Sequence, residues 1–597
     1  MTITSTLDET LTSQAEAWLQ ALEQVVNAAD QQGLVDLMLE ECYWRDLVSL
    51  TWDTCQFWGA PAIGPAVFAG AAANGFSGLT LDPERSAPRV ADFVGQSYVE
   101  VFFAFRTNVG DGKGFARLEQ TASGPRALMV ATALWALDCA PEPQGRHPRL
   151  GYEPEFPGQT YGEWNRAKHD YRHRDPDVLI IGGSHSGLSV GARFERKGIS
   201  YLIVEKNSKP GDMWRGRYEP LALHTPTAIN QLPYIPLPEH WSLFTPKDQW
   251  ADWLDCYATL MNLNFQGDTE ALGCTFDEQA RVWNVDLRMP DGSTRTMHPK
   301  HVVLAVGGVG GRPRIPEIEG LKDFRGDVMH SSKFKDGRPY VGKRVMVVGS
   351  STTAHDISLD LAQRGADTTM AQRGATCVVN ISEVINFGAD YRRVSTEEAD
   401  FLRSAVPYPL WIKRAQAYTQ VTERTHRELH DGLRARGQKL TIGDDHTGWT
   451  IKLFREAAGY YLNIGASEAI VDGLIKIQDF DDIETFVPEG VRLKDGSVIE
   501  LDAVILCTGF YDLSNDIAAL LGRDVADRIG RCNGVAPEHG EYRTMSRPTA
   551  QPHLWLINGG IPDSRKSSDT LALQVIAQLK GLVPSLVRTP DGTVAPL

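Results

Sequence analysis

The sequence Val178-Leu-Ile-Ile-Gly182-Gly-Ser184-His-Ser-Gly187 is the most informative segment of this 597-residue chain. A short apolar run that leads directly into a glycine-rich turn predicts a strand buried on both faces, followed by a helix. Gly182 permits the tight bend, Gly187 permits close packing of helix on strand, and the helix N-terminus favours a pyrophosphate. Glu205 ends the next apolar run, where its carboxylate can accept hydrogen bonds from a ribose hydroxyl. The stretch therefore predicts a dinucleotide site.

A second turn of this type occurs at Val345-Met-Val-Val-Gly349-Ser-Ser351-Thr352-Thr-Ala354. Arg373 follows the next predicted strand, where an NAD-binding protein would carry an acid, and an arginine there can pair with a 2′-phosphate. The second turn therefore predicts NADPH rather than NADH, with Ser351 and Thr352 as contacts; a solvated arginine at the strand end is the alternative for Arg373. Two such turns imply two nucleotides bound together and electron transfer between them.

Both turns carry serine at the middle position, as Ser184 and Ser351. The backbone approaches the pyrophosphate at this position, so we expect a Cβ atom to crowd the ligand, while the hydroxyl can compensate as a donor. The paired serines also support an alternative in which the two nucleotide sites are relics that no longer bind nucleotides.

Composition excludes several classes of function. A net charge of −16 argues against nucleic-acid partners, which need a basic face. The eight cysteines include no Cys-x-x-Cys pair and no His/Cys cluster with zinc spacing, so we expect neither a metal site nor disulfide-reductase chemistry. Scattered thiols, and a start without the basic and apolar segments of a signal peptide, predict a cytoplasmic location. Gly, Pro and Asn interrupt the apolar stretch 60–76, so we expect no membrane span.

The N-terminal part reads as a separate α+β unit. Helical periodicity runs from Ser13 to about Asp30, and three strand-like segments follow at Val99–Thr107, Gly114–Thr121 and Ala127–Leu137. Helices followed by an antiparallel sheet resemble the NTF2-like (SnoaL-like) fold. No histidine precedes His147, which excludes histidine catalysis here. We expect a structural role or a homodimer contact, and the alternative is that Asp46 or Asp53 acts as an acid.

Two further motifs carry a resemblance over about residues 175–585. They are Gly211-Asp-Met-Trp214-Arg-Gly-Arg217 and Phe324-Arg-Gly326-Asp-Val-Met-His330-Ser-Ser-Lys-Phe334. With the two turns, they resemble the class B flavin monooxygenases, which include flavin-containing monooxygenases, plant YUCCA-type enzymes and, more distantly, Baeyer–Villiger enzymes. The last group usually ends the second motif with Trp, so Phe334 favours the heteroatom-oxidising or YUCCA-like side.

The resemblance implies roles for several residues. Trp214 and Arg217 would contact FAD, although a buried core aromatic is the alternative for Trp214. His330 would organise the two domains, and Thr508 and Gly509 would form the family's Ala-Thr-Gly-Tyr strand end. His224 lies where relatives place a flavin-contacting side chain; a slip of one residue would move this role to Thr225, and Asn230 and Gln231 are neighbouring candidates.

The resemblance also implies the fold class, α/β with two doubly wound Rossmann-like domains, one inserted in the other, behind the α+β domain. We expect an NTF2-like domain (1–145), a proline-rich linker (146–174), an FAD-binding domain (175–338), an NADPH-binding domain (339–490) and the return of the FAD-binding domain (491–597).

The implied reaction is that of the family. NADPH reduces FAD, oxygen forms a C4a-hydroperoxide, and one oxygen atom enters a small organic substrate. An α-keto acid is one candidate substrate, and amines, thioethers and ketones stay open. The alternatives are an uncoupled NADPH oxidase or flavin reductase, and a non-catalytic assembly protein with relic nucleotide sites.

Overall fold

A computed structural model describes residues 2–142, 158–307, 311–387, 389–536, 539–589 and 592–597. Within these residues the chain forms an N-terminal α+β unit and two α/β units that each contain a five-stranded parallel sheet.

The N-terminal unit wraps three helices around one side of a seven-stranded sheet, with the path β2-β1-β7-β6-β5-β3 and β4 paired to β5. Strands β1 and β7 run parallel, and the other neighbours run antiparallel. The three predicted strands are confirmed, and each begins three residues earlier than expected. The elements are α1 (Thr2–Asn27), α2 (Gln31–Leu37), β1 (Met38–Leu47), β2 (Thr54–Trp58), α3 (Ala60–Asn74), β3 (Ser77–Leu81), β4 (Arg89–Phe93), β5 (Gln96–Arg106), β6 (Asp111–Thr121) and β7 (Gly124–Leu134).

The expected linker contains a helix, α4 (Tyr161–His169). The Thr160 hydroxyl accepts a hydrogen bond from the Glu163 N–H, and the Glu163 carboxylate accepts one from the Thr160 N–H. This capping box stabilises the start of the helix. The prediction of a linker considered the prolines and overlooked this capping pattern. This helix lies within the segment predicted as a linker, and residues 146–157 of that segment lie outside the described part of the chain.

The first parallel sheet has the order β10-β9-β8-β14 and is completed by the late strand Leu554–Leu556. The strands predicted at Val178–Ile181 and Tyr201–Val204 are confirmed. A small antiparallel sheet, β11-β12-β13, packs beside it. The elements are β8 (Val178–Ile181), α5 (His185–Arg196), β9 (Tyr201–Val204), α6 (Asp212–Arg215), α7 (Lys247–Leu260), β10 (Phe265–Gln266), β11 (Glu270–Asp277), β12 (Val282–Arg288), β13 (Thr294–Met297) and β14 (His301–Leu304).

The second parallel sheet has the order β15-β24-β16-β17-β20. Strands β18 and β19 form a separate two-stranded sheet, and β21, β22 and β23 form a small antiparallel sheet. The elements of this second unit are β15 (Asp327–His330), β16 (Arg344–Val348), α8 (Thr352–Gln363), β17 (Asp367–Gln372), β18 (Cys377–Asn380), α9 (Ser382–Phe387), α10 (Thr396–Ser404), α11 (Tyr408–Thr425), α12 (Arg427–Ala435), α13 (Gly448–Glu456), β19 (Tyr460–Asn463), α14 (Ala466–Val471), β20 (Ile475–Asp479), β21 (Ile483–Val487), β22 (Gly490–Leu493), β23 (Val498–Glu500) and β24 (Ala503–Leu506).

The strands of this second unit span 327–506, which is wider than the predicted segment 339–490. The physical reason is the pairing of β24, which lies between β15 and β16 and is parallel to both. Strand β15, from the histidine motif, and strand β24 therefore belong to the second sheet and not to the first.

Helices α10 and α11 cover the sheet face of the N-terminal unit that its own helices leave open. Phe401, Leu402 and Leu410 share a buried core with Phe102 and Phe115 of that face. A homodimer through the N-terminal unit would therefore have to use another surface.

The chain returns to the first sheet at its C-terminal end. The elements are α15 (Ser514–Leu521), α16 (Arg523–Ile529), β25 (Leu554–Leu556), α17 (Ile561–Leu579), β26 (Leu586–Arg588) and β27 (Val594–Pro596). Helix α17 begins six residues before the predicted start at Ser567 and packs against α5. Among the described helices, none combines the length and apolar character needed to cross a membrane.

Candidate functional site

The first glycine turn has the geometry of a phosphate cradle. Gly182 has φ +108°, and a Cβ atom on Gly187 would lie 2.0 Å from the Gly182 carbonyl oxygen. Glycine is therefore required at both positions. The Glu205 carboxylate accepts a hydrogen bond from the Gly183 N–H at 2.8 Å, which fixes it beside the turn. Ser184 precedes α5 in an extended conformation, and its hydroxyl makes no capping bond to that helix.

A histidine that the sequence reasoning missed joins this turn to α17. His185 Nε2 lies 3.1 Å from the Gly559 carbonyl oxygen, one residue before the helix cap. Burial lowers the pKa of His185, which favours the neutral ring. The position of His185 within the glycine turn could have identified it from the sequence.

Trp214 lies close to this histidine, with 6.1 Å between the ring centroids. The indole N–H is buried and has no hydrogen-bond partner among the described residues. A buried donor of this kind normally has a partner, so its position fits a bound ligand that supplies an acceptor. Arg217 lies over the neighbouring Tyr218 ring at 5.8 Å, and its contact with FAD stays a prediction.

The second turn closes in a similar way around Gly349, whose φ is +129°. The Ser351 hydroxyl accepts a hydrogen bond from the Gly459 N–H at 2.9 Å, and the Thr352 hydroxyl donates to the Tyr460 carbonyl at 3.1 Å. Both hydroxyls thus hold the turn against β19. Arg373 is exposed just after the end of β17, and the carbonyl of the next residue, Gly374, accepts a hydrogen bond from the Ser350 hydroxyl of the second turn at 3.4 Å.

His330 is held by backbone groups on both sides. Its Nδ1 accepts a hydrogen bond from the Ser332 N–H at 3.1 Å, and its Nε2 lies 3.1 Å from the Gly509 carbonyl oxygen. A neutral ring with its proton on Nε2 satisfies both contacts, and burial lowers the pKa of His330. The structure thus brings together His330 and Gly509, which the sequence analysis singled out separately.

Thr508 adds a second hydrogen bond in the loop that follows β24. Its hydroxyl donates to the Arg314 carbonyl at 2.5 Å. The side chains of His330 and Thr508 both bind backbone groups in the segments that connect the two units.

His224 reaches the second unit through an acid that sequence reasoning missed. His224 Nε2 lies 3.4 Å from Asp356 Oδ2 on α8, and the Tyr218 hydroxyl donates to the same oxygen at 2.7 Å. The other carboxylate oxygen of Asp356 is buried with no partner in the described part of the chain. The sequence signal was an acid immediately after the second turn, in Ala354-His-Asp356.

The two turns therefore lie on units that a shared cluster of side chains connects. Tyr218 and His224 come from the first unit, and Asp356 comes from the helix that starts at the second turn. Two glycine cradles, an unpaired buried donor near the first and an unpaired buried acceptor after the second all fit a pair of dinucleotides.

The sequence is similar to a family of redox proteins and to several plant monooxygenases. Residues 179–386 match the family model described as pyridine nucleotide-disulphide oxidoreductase. Probable indole-3-pyruvate monooxygenases YUCCA3 and YUCCA7 of Arabidopsis thaliana are 29% and 30% identical over 336 and 338 residues. Each match covers 56% of this chain, and 72% and 73% of the two relatives respectively. Indole-3-pyruvate monooxygenase YUCCA1 of Oryza sativa subsp. japonica is 27% identical, with 77% of its length matched.

Solved structures share the fold. The open crystal structure of cyclohexanone monooxygenase superposes with a TM-score of 0.52 at 17% identity, over 70% of this chain and 90% of that chain. A crystal structure of OTEMO in complex with FAD and NADP also gives a TM-score of 0.52 at 17% identity, over 70% and 88% of the two chains. At this identity the agreement concerns the fold alone.

Proposed function

The chain belongs to the family of NADPH-dependent flavin monooxygenases, and from this premise we propose that it oxygenates a small α-keto acid. The first glycine turn would hold FAD, and the second would hold NADPH. The observation that carries the proposal is the cluster of Tyr218, Asp356 and His224, because it fastens the helix of the second turn to the unit that contains the first. Hydride transfer between two nucleotides requires this proximity.

The residues around the first turn fit the parts of FAD. Glu205 can accept a hydrogen bond from the ribose, and the N-terminus of α5 favours the pyrophosphate. The unpartnered Trp214 N–H is a donor for an acceptor of the bound cofactor. Arg217 supplies positive charge nearby. When bound, FAD and NADPH supply the redox chemistry, which is hydride transfer and activation of oxygen.

The residues around the second turn fit NADPH. The N-terminus of α8 is available to the pyrophosphate, since Ser351 and Thr352 direct their hydroxyls towards β19. Exposed Arg373 would pair with a 2′-phosphate, and this charge supports NADPH rather than NADH as the reductant. His330 would keep the Gly509 loop in place as the two units move relative to one another.

An α-keto acid is proposed as substrate because YUCCA3 and YUCCA7, to which this chain is similar, are named probable indole-3-pyruvate monooxygenases. The balanced reaction is α-keto acid + O₂ + NADPH + H⁺ giving the shortened carboxylic acid, CO₂, H₂O and NADP⁺. The protein would have to bind the acid beside the flavin and exclude water from the site.

We further interpret the two parallel sheets as Rossmann-like domains and the N-terminal unit as NTF2-like. The helices packed on one face of a curved, mostly antiparallel sheet support the second interpretation. Its role would be structural, since the buried Asp46 and Asp53 are both fully engaged in hydrogen bonds or ion pairs within the chain.

The test uses the FAD-loaded protein in air with indole-3-pyruvate and NADPH. We expect one molecule of indole-3-acetate and one of CO₂ for each NADPH oxidised. Hydrogen peroxide in amounts equal to the NADPH consumed, without indole-3-acetate, would show an uncoupled oxidase instead. A folded protein that takes up neither FAD nor NADPH would support the assembly-protein alternative.

A further inference from the structure

A cavity of about 130 Å³ lies where three parts of the molecule meet. The walls come from the N-terminal sheet, from helices α10, α11 and α13, and from the segment that includes the start of α17. One water molecule needs roughly 10–15 Å³ on the same measure, so the cavity has room for a small organic molecule.

The N-terminal sheet forms one wall with two cross-strand pairs. Arg45 pairs with Gln56 and Leu47 pairs with Thr54 across β1 and β2, and all four side chains line the cavity. Directly opposed residues in a sheet present their side chains on the same face. The wall is therefore built into the strand register.

This wall is fastened to the rest of the molecule. Arg45 makes a two-pronged ion pair with Glu541 at 2.7 Å for both contacts, and Gln56 Nε2 donates to the same carboxylate at 2.7 Å. The Gln56 side-chain oxygen accepts a hydrogen bond from the Tyr408 N–H at 2.7 Å. Gln56 thus ties α11 and the Glu541 segment to the N-terminal unit.

Helix α17 forms the facing wall with a polar stripe. Asp563, Lys566, Ser567 and Thr570 all line the cavity, and their spacing of three, four and seven residues puts them on one side of the helix. Lys566 is four-fifths buried and lies 3.3 Å from Asp563. Burial lowers the pKa of Lys566, so a bound anion would stabilise its charged form.

The described lining residues carry charges of both signs. Arg45, Arg403 and Lys566 supply three cations, and Glu541 and Asp563 supply two carboxylates. A ligand carboxylate would find Lys566 on the α17 wall as its cationic partner.

The remaining lining suits an apolar body. Tyr408, Trp411 and Phe454 line the cavity, and Trp411 and Phe454 meet edge to face at 5.1 Å. Aromatic surfaces of this kind bind flat aromatic or aliphatic groups.

The cavity also adjoins the turn assigned to the flavin. A Cβ atom on Gly559 would lie 3.5 Å from the sulfur of Met545 and 3.6 Å from Asp563 Cβ, and both residues line the cavity. The Gly559 carbonyl is the group that His185 of the first glycine turn contacts. A molecule in the cavity would therefore lie near the FAD site.

We propose that this cavity binds the substrate as a small aromatic or aliphatic carboxylate, and that the N-terminal domain supplies one of its walls. This assignment rests on the proposed function for the identity of the ligand as a substrate. It gives the N-terminal domain a direct part in specificity, through Thr54 and Leu47, in addition to its structural part.

The test is calorimetric titration of the FAD-loaded protein with 3-phenylpropionate, a carboxylate that cannot be decarboxylated as a keto acid, and with its neutral amide. We expect the carboxylate to bind with one molecule per chain. Lys566→Met should weaken binding of the carboxylate at least tenfold and leave binding of the amide within a factor of two. Thr54→Phe should weaken both ligands at least tenfold, because the new ring fills the cavity.

Thr80→Phe is the matched control, since Thr80 is an exposed strand residue of the same domain, and it should bind both ligands as the parent does. FAD content reports folding in every variant. An FAD-loaded parent that does not bind 3-phenylpropionate, or unchanged binding in both Thr54→Phe and Lys566→Met, would overturn the assignment. Oxygen transfer to indole-3-pyruvate is measured separately, so a failure of the proposed function is distinguishable.

Discussion

At the scale of single residues, the two middle-position serines differ in a way that the sequence could not reveal. Ser351 directs its hydroxyl to the Gly459 N–H, whereas Ser184 makes only a 3.5 Å contact with the neighbouring His185 ring. The hydroxyl of Ser351 thus stabilises the second turn. Ser184 places a Cβ atom next to the first turn, and its hydroxyl makes only a weak contact there.

We therefore expect Ser184→Gly to tighten FAD binding by a factor of about three to ten, which corresponds to roughly 0.6–1.4 kcal/mol. Equilibrium titration of the apoprotein with FAD measures the effect. Ser351→Gly serves as the comparison, and the loss of its bond to Gly459 should offset any gain in NADPH binding. Equal or weaker FAD binding by Ser184→Gly would show that the serine hydroxyl assists the pyrophosphate.

Asp356 is the residue that connects the two units most directly. Asp356→Asn should raise the KM for NADPH on the order of tenfold, because loss of a charged acceptor loosens α8 from the first unit. Tyr218→Phe removes the same contact from the other side. In a double-mutant cycle on the KM for NADPH, we expect a coupling of about 1 kcal/mol between the two changes. Strictly additive effects would mean that the bond from Tyr218 to Asp356 does not hold the units together.

His355 predicts a pH dependence of stability. The ring is buried, stacks on Tyr461 at 4.0 Å and accepts a hydrogen bond from Gln438, and burial lowers its pKa to about 4. The unfolded chain takes up this proton near pH 6.5, so the folded state loses stability as the pH falls from about 6.5 to about 4.

Relative to about pH 7, the loss from this group should be about 2 kcal/mol at about pH 5. Urea unfolding of the parent and of His355→Gln at both pH values measures it. The variant keeps an acceptor for Gln438 but does not titrate, so it should lose less stability. The same pH response in both proteins would contradict a neutral buried His355.

At the scale of elements, the connection between β1 and β2 is fastened to the C-terminal strand β26 by a buried ion cluster. Asp53 lies 2.7 Å from Arg547 and 3.0 Å from Arg588. Burial alone would raise the pKa of Asp53, but the two guanidinium groups outweigh it and hold the value at about 2. The carboxylate therefore stays charged, and its stabilising effect is lost only as the pH falls from about 4 through about 2.

Removing this charge leaves two buried arginines without their acid. Asp53→Asn should lower the free energy of unfolding by about 3–5 kcal/mol, measured by urea unfolding at neutral pH. Asp138→Asn is the control, because its ion pair with Arg106 is exposed and should contribute less than about 1 kcal/mol. A similar small effect from both variants would show that the buried ion cluster contributes little to stability.

At the scale of the whole molecule, the sequence predicts best what depends on local pattern. Strands 178–181 and 201–204 could be located because an apolar run next to a glycine turn has few other interpretations. The contact between His330 and the Gly509 carbonyl could not be predicted from the sequence, because the two residues are 179 positions apart. The pairing of β24 between β15 and β16 was missed for the same reason, which is why the second unit proved wider than expected.

The position of the N-terminal domain also depends on long-range contacts. Its sheet is covered by α10 and α11, and its Asp53 meets an arginine 494 residues away. The hydrophobic periodicity within the domain does not indicate that α10, α11 and this arginine pack against it. The candidate substrate cavity exists only because these contacts form, so it could not be predicted from any one segment.

Anaerobic mixing of the FAD-loaded protein with NADPH tests whether the two turns hold FAD and NADPH in contact. We expect rapid loss of the oxidised-flavin absorbance with NADPH, and much slower loss with NADH. Arg373→Ala should reduce this preference. Retention of the oxidised-flavin spectrum with NADPH, in protein that has bound FAD, would show that the two turns do not bring the nucleotides together.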